Sequence, residues 1–279
     1  MDTIVDLNAV KQQQRIGWQT GDYARIGNTL QIIAELLVEA ADVHAGQQVL
    51  DVACGQGNAA ITAALRFAEA TGVDYAPNLL DQARQRAAVL HLDATFTEGD
   101  AENLPFPDAS FDTVLSTVGV MFAPDHQRAA DELVRVTRAG GTVALAAWTP
   151  DGMVGELFRI VGKYAPPPAG IVPAVRWGTA GHLSDLFGTR VEWTALTGRQ
   201  YVFRFRSPGH YADYMCRYYG PTARLSAGLD EARRTAFHTD LADLVTRYNR
   251  ATDGTVAAVA DYLEAVGTVA RTGIGGQDN

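Results

Sequence analysis

Lysine is almost missing from this chain. Only Lys11 and Lys163 occur in 279 residues, and the remaining cationic side chains are arginines scattered along the sequence. With a formal net charge of −9, the chain lacks the clustered cations that bind nucleic-acid phosphates, which argues against DNA or RNA as the main partner. Cysteine is as scarce. Cys54 and Cys216 build no disulfide framework and suit a reducing compartment. Cys54 reads as a small buried filler rather than a nucleophile. No apolar run approaches the ~18–20 residues of a membrane span. Met1–Asp6 also lacks the basic-then-apolar pattern of a secretion signal. The expectation is a cytoplasmic protein with no membrane partner and no metal site. An apolar fraction of 47% is enough for a substantial core.

What the sequence does have is a run from Val49 to Gly57, Val-Leu-Asp-Val-Ala-Cys-Gly-Gln-Gly. Leu50 and Val52 flank Asp51 in a short segment that reads as a buried strand. Gly55 and Gly57 then allow a sharp turn and a close backbone approach to a ligand. The following Asn58–Leu65 is a good helix sequence, so the glycines sit in a strand-to-helix turn, where open α/β sheets bind nucleotide-like ligands. Gly55 to Ala60 also fits the dinucleotide pattern G-x-G-x-x-A.

The next strand ends narrow the choice. Ala70–Tyr75 forms a second strand ending on Asp74, whose carboxylate can accept both ribose hydroxyls of an adenosine. A third strand, Ala94–Thr97, leads to Asp100 and Ala101, suited to the adenine amino edge. Phe111–Ser116 is a fourth strand, and Arg138–Leu145 is a turn feeding a fifth.

In this order, Leu-Asp-Val-Ala-Cys-Gly-Gln-Gly, Gly-Val-Asp-Tyr-Ala, Gly-Asp-Ala-Glu-Asn-Leu-Pro-Phe-Pro-Asp-Ala-Ser-Phe-Asp and Arg-Val-Thr-Arg-Ala-Gly-Gly cover roughly residues 45–148. The series resembles the class I S-adenosylmethionine-dependent methyltransferases, especially the ubiquinone/menaquinone-biosynthesis-type branch. That resemblance implies an α/β, doubly wound Rossmann-like seven-stranded sheet, mostly parallel with the last strand antiparallel, and S-adenosyl-L-methionine as cofactor. It implies cofactor contacts from Asp51, Ala53, Gly55, Gly57, Asp74, Tyr75, Asp100, Ala101, Ser116 and Thr117. Ala53 stands where the family often has glycine, and alanine gives up ready access to positive φ.

Residues 1–45 precede the sheet as a helical arm. Leu30, Ile33, Leu36 and Leu37 form one helical stripe, and Trp18 and Tyr23 lie among flexible glycines. That segment reads either as a lid over the cofactor or as an anchor of the arm to the core. The cofactor-binding domain is expected over 46–206, with helices at about 57–68, 77–90, 125–138 and 152–163 and a terminal strand pair at Arg190–Leu196 and Gln200–Phe205. Residues 207–271 read as a helical extension, with helices from Ser207, over Leu229–Asn249 and over Thr255–Val269, followed by a loose tail at 272–279. The extension reads as an acceptor cover or a homodimer interface.

Methyl transfer needs donor and acceptor held in line, and the protein contributes orientation, burial and proton handling. His126 and His210 are the candidate proton acceptors, although Asp125-His126 also reads as an ordinary helix start. Tyr211, Tyr214 and Tyr218 share a helical face and read either as acceptor-pocket or as core residues. The expected activity is methylation of O, C or N on a small-molecule acceptor, such as an aromatic or polyketide-like specialised metabolite. Two alternatives are a methyltransferase-like protein that binds the cofactor without transfer and an NAD(P)-dependent oxidoreductase. No Tyr-x-x-x-Lys pair supports the latter, since neither lysine follows a tyrosine by four positions.

Overall fold

The structure is a computed structural model describing residues 5–271. The expected tail at 272–279 and the first four residues lie outside the described residues. Seven strands form one sheet in the order β3-β2-β1-β4-β5-β7-β6. They are β1 Gln48–Val52, β2 Glu69–Asp74, β3 Ala94–Glu98, β4 Phe111–Thr117, β5 Thr137–Trp148, β6 Val191–Phe205 and β7 Val256–Val269. Strands β1 to β5 pair in parallel, and β7 runs antiparallel to both β5 and β6. The last strand in sequence is thus the reversed one.

The helices in chain order are α1 Leu7–Gln19, α2 Tyr23–Gly27, α3 Gln31–Ala40, α4 Asn58–Ala64, α5 Pro77–Val89, α6 His126–Val136, α7 Met153–Tyr164, α8 Ala180–Phe187, α9 Pro208–Tyr218, α10 Gly220–Gly228 and α11 Glu231–Arg247. Their starts follow from local chemistry. Pro77 opens α5, Asp125 caps α6 by accepting from Arg128 N, and Ser207 caps α9 by accepting from His210 N. Val49, Leu50 and Val52 are fully buried because helices cover both faces of a parallel sheet. The α3 stripe contributes Ile33, Ala34, Leu37 and Val38 to the same core. Among the described residues, no helix is long and apolar enough to cross a membrane.

The structure corrects two expectations. Thr255–Val269 is not a helix: Val256–Val269 is β7, inserted between β5 and β6. Alanines at 257, 258, 260 and 265 give the segment high helix propensity, but sheet pairing on both sides overrides it. The segment therefore belongs to the sheet, and the helical extension after β6 consists of α9, α10 and α11. Arg190–Leu196 and Gln200–Phe205 are likewise not two strands. They are one strand, β6, and Gly198 between them makes no turn, pairing with Leu263 of β7.

Candidate active site

The chain reverses direction across the sheet between β1 and β4, and a crevice opens beyond the carboxyl ends of those strands, as the rule for open α/β sheets requires. A cleft lies there, at the place where such folds bind small molecules. Its lining includes Asp51, Ala53, Gly55, Asp74, Tyr75, Asp100, Ala101, Thr117, Trp18 and Tyr23. Ten of the residues picked from sequence thus meet in one place.

The loop after β1 is held in left-handed backbone conformations at Ala53 (φ 53°), Gly55 (φ 55°) and Gly57 (φ 82°). Ala53 therefore does adopt positive φ despite its Cβ. Facing it is Gly119, where an added Cβ would stand 2.3 Å from the Ala53 carbonyl oxygen. Gly57 is not part of the lining. Its lack of a side chain serves packing, because a Cβ there would meet the Phe96 ring at 2.7 Å. The loop is propped from outside by Arg86 of α5, which donates to the Gln56 carbonyl at 2.8 Å, to Asn58 Oδ1 at 2.7 Å and to Gln31 Oε1 at 3.0 Å.

Asp74 is buried at the end of β2. Its Oδ2 accepts from Gly55 N and its Oδ1 from Ala76 N, both at 2.8 Å. Each carboxylate oxygen retains a lone pair for a ligand hydroxyl. Burial pushes Asp74 up to about 6, against the backbone N–H groups that hold it down. Asp51 is buried in β1 and accepts from Ala60 N at 2.9 Å. Burial pushes it up to about 7, opposed by that N–H and reinforced by the charge of Asp74. Tyr75 Oη and Thr117 Oγ1 are buried with no protein partner, so the lining holds polar atoms for which a ligand is the natural partner.

Beyond β3, Asp100 Oδ1 accepts from Glu102 N at 2.9 Å, and its Oδ2 pairs with Lys11 Nζ at 2.6 Å. Lys11 also reaches Glu102 Oε2 at 2.5 Å. The arm thus contributes a cation to the lining that sequence reading missed. Trp18 sits edge-on to Tyr23, Phe122 and Tyr219, with ring centroids 5.3, 5.0 and 5.6 Å away. Phe122, Val120, Ala123 and Pro124 complete an apolar wall on the β4 side. Those residues follow β4 as a short turn whose local pattern reads only as a loop.

Several expected site residues lie elsewhere. Ser116 is buried under the crevice, its hydroxyl donating to the Val52 carbonyl at 2.7 Å and accepting from Val120 N at 2.9 Å. It shapes the wall without lining it. His126 is outside the lining: its Nδ1 lies 2.8 Å from His182 Nε2, beside Trp177, and burial pushes it down to about 4. His210 is also outside, packed against Phe205 and Tyr214. Tyr211, Tyr214 and Tyr218 do not line the cavity either. Tyr211 is buried against Phe205, Tyr214 Oη donates to the Arg25 carbonyl at 3.0 Å, and the Tyr218 ring lies under the Arg25 guanidinium. Tyr214 and Tyr218 clamp α9 onto α2, and Tyr211 packs it against β6. Cys54 is buried and burial pushes its thiol up, consistent with a filler.

Residues 50–145 match the family described as a methyltransferase domain. An uncharacterised protein of Mycobacterium tuberculosis is 44% identical over 207 residues, covering 73% of this chain and 76% of that protein. A demethylmenaquinone methyltransferase of Deinococcus radiodurans is 36% identical over 146 residues, covering 51% of this chain and 61% of that protein. Among solved structures, the YcgJ protein of Bacillus subtilis superposes with a TM-score of 0.58 at 20% identity over 86% of this chain and 99% of that one, a likeness of fold. A demethylmenaquinone methyltransferase of Thermus thermophilus is 33% identical over 152 residues, 69% of that protein. With the matches above, it assigns the chain to the class I S-adenosylmethionine-dependent methyltransferases of the ubiquinone/menaquinone-biosynthesis type, whose cofactor is S-adenosyl-L-methionine.

Proposed function

We propose that this protein methylates a flat, largely apolar small molecule of specialised metabolism, bound between the cofactor and the Trp18–Phe122 wall. The observation that carries the reading is the convergence of Asp51, Asp74 and Asp100 on one cavity that also has an aromatic side. In this reading Asp74 holds the ribose hydroxyls, Asp100 and Ala101 meet the adenine edge, and Tyr75 lies against its face. Gly55 and Asp51 receive the methionine part, with Thr117 beside it. When bound, the cofactor supplies a methyl group on a cationic sulfonium, open to in-line displacement. The chain's own contribution is to align the acceptor and exclude water, which is worth several kcal/mol of barrier without a covalent step.

No histidine stands among the described residues lining the cavity. Of the lining groups, Tyr23 is pushed up to about 12 by burial and is therefore a proton donor rather than a base at neutral pH. We infer that the acceptor atom sheds its proton to water or is already deprotonated. That same absence favours, as a second reading, a protein that binds the cofactor without transferring its methyl group.

The charge balance and the two free cysteines support a cytoplasmic protein acting on a metabolite rather than on nucleic acid. Residues 1–45 would serve as the cover of the crevice. The helices α9 to α11 would brace that cover or form a homodimer interface. Calorimetry with S-adenosylhomocysteine, followed by incubation of labelled cofactor with a panel of aromatic hydroxy compounds, tests the proposal. Turnover on a flat apolar acceptor supports it. Tight binding without turnover on any acceptor favours the second reading.

A further inference from the structure

We propose that Lys11 latches α1 across the cofactor crevice, and that α1 opens and closes as one unit at each cofactor exchange. This rests on the crevice being the cofactor site.

The helix is attached in an unusual way for an element that covers a cavity. Gly17 is its one buried residue, so apolar burial holds little of it down. Apart from the Trp18 ring at its C-terminal end, its contacts are polar. Lys11 bridges Asp100 and Glu102, at 2.6 and 2.5 Å, with its side chain only 17% exposed. One turn on, Arg15 pairs with Glu98 at the end of β3 at 2.6 Å. On the far side, Arg224 of α10 donates to the Gln13 carbonyl and side chain at 3.0 and 2.6 Å. Elements held by few apolar contacts lie at the low end of local stability. The more exposed Arg15–Glu98 pair breaks at modest cost and weakens with salt, which leaves Lys11 as the contact that holds the helix.

The pivot is also visible. Gly21 has φ 77°, and a Cβ there would stand 2.8 Å from the Tyr218 carbonyl oxygen. Immediately after it, Asp22 N donates to that same carbonyl at 3.2 Å, and Tyr214 Oη holds the Arg25 carbonyl. Helix α9 therefore fixes α2 while α1 hangs from Thr20–Gly21. Tyr214 and the Tyr218 carbonyl thus brace the hinge.

The latch has a direct link to the ligand. Both oxygens of Asp100 are engaged when α1 is docked, Oδ1 by Glu102 N and Oδ2 by Lys11. Lys11 and Trp18 both line the cavity, so cofactor entering from the α1 side must part these contacts. Lys11 is a positioning residue in this account: it sets how Asp100 is presented and how long the crevice stays shut.

The test uses the full chain with two variants, Lys11→Met and Glu98→Gln, the latter releasing Arg15 at a site outside the cavity lining. Amide hydrogen exchange without cofactor is read over residues 7–16, with α4 as an internal control. Stopped-flow fluorescence reads the release of S-adenosylhomocysteine. For Lys11→Met, α1 amides should exchange at least tenfold faster with α4 unchanged, and release should speed by at least tenfold, from the loss of two charge-assisted contacts. Glu98→Gln should shift both readouts the same way by a smaller factor. Unchanged α1 exchange and unchanged release in both variants would overturn the latch while leaving the cofactor site standing. Faster exchange in α4 as well as α1 would show a merely structural lysine and also overturn it. Failure of the wild-type protein to bind S-adenosylhomocysteine would remove the site reading and the latch with it.

Discussion

Asp74 accepts the backbone N–H of Gly55 at 2.8 Å, which ties the end of β2 to the glycine turn after β1. One carboxylate therefore shapes the loop and, in the proposed function, holds the ribose. Both roles are open to measurement. Asp74→Asn keeps an oxygen for Gly55 N but sets its amide nitrogen against Ala76 N, so it should weaken S-adenosylhomocysteine binding by roughly 1.5–3 kcal/mol and lower the melting temperature as well. Titration calorimetry reads the first and thermal denaturation the second. Unchanged affinity would remove Asp74 from the ribose contact.

Gly57 makes a contrasting prediction. Its φ of 82° resists a side chain, and so does the Phe96 ring, which lies 2.7 Å from where a Cβ would stand. Gly57→Ala should cost about 1–3 kcal/mol of stability in urea unfolding. Because Gly57 does not line the cavity, cofactor affinity measured well below the transition should change little.

The buried carboxylates give a pH dependence whose sign is fixed. Asp51 rises from 3.8 to about 7 and Asp74 from 3.8 to about 6. Between those limits the folded chain binds more protons than the unfolded one, so both groups make stability fall as pH rises. His126 is pushed down from 6.5 to about 4, so the folded chain binds fewer protons there and its contribution rises with pH. The opposing terms are separated by difference. Relative to wild type, Asp51→Asn should gain stability steadily from pH 4 to pH 7 and then level off. A pH-independent difference in denaturant midpoints would contradict the buried charge.

Ser116 lies behind the wall rather than in it. Ser116→Ala removes the bridge from the Val52 carbonyl to Val120 N and should cost about 1–3 kcal/mol of stability, because it leaves buried backbone groups unpaired. Chemical denaturation measures it. Loss of cofactor affinity without loss of stability would instead place its hydroxyl on the ligand.

The parts of the site legible in the sequence were those built by local pattern. An acid at a strand end, followed by small residues and a helix, signals Asp51, Gly55 and Asp74 because backbone and ligand impose their spacing. Lys11 carries no such signal. It lies 89 positions from Asp100, on a polar helix whose sequence does not say what it faces. β7 was hidden for a different reason. Alanine and valine stand at odd and even positions alike, so the alternation of residue type that marks a half-exposed strand is missing, although burial itself alternates over the first half of the strand. Even Glu264, buried in that strand and paired with Arg199 at 2.7 Å, reads locally as a solvent-facing helix residue. Neither His126 nor His210 lines the cavity, because suitability for proton transfer says nothing about direction. His126 faces His182, and a residue's usefulness at a site depends on what it points toward.

The measurement that bears most directly on the account is a crystal structure with S-adenosylhomocysteine. The account predicts ribose hydroxyls on Asp74, the adenine amino group at Asp100 and the homocysteine end beside Gly55 and Asp51. A ligand bound with these three carboxylates turned away from it, or no ligand in the crevice at saturating concentration, would contradict it.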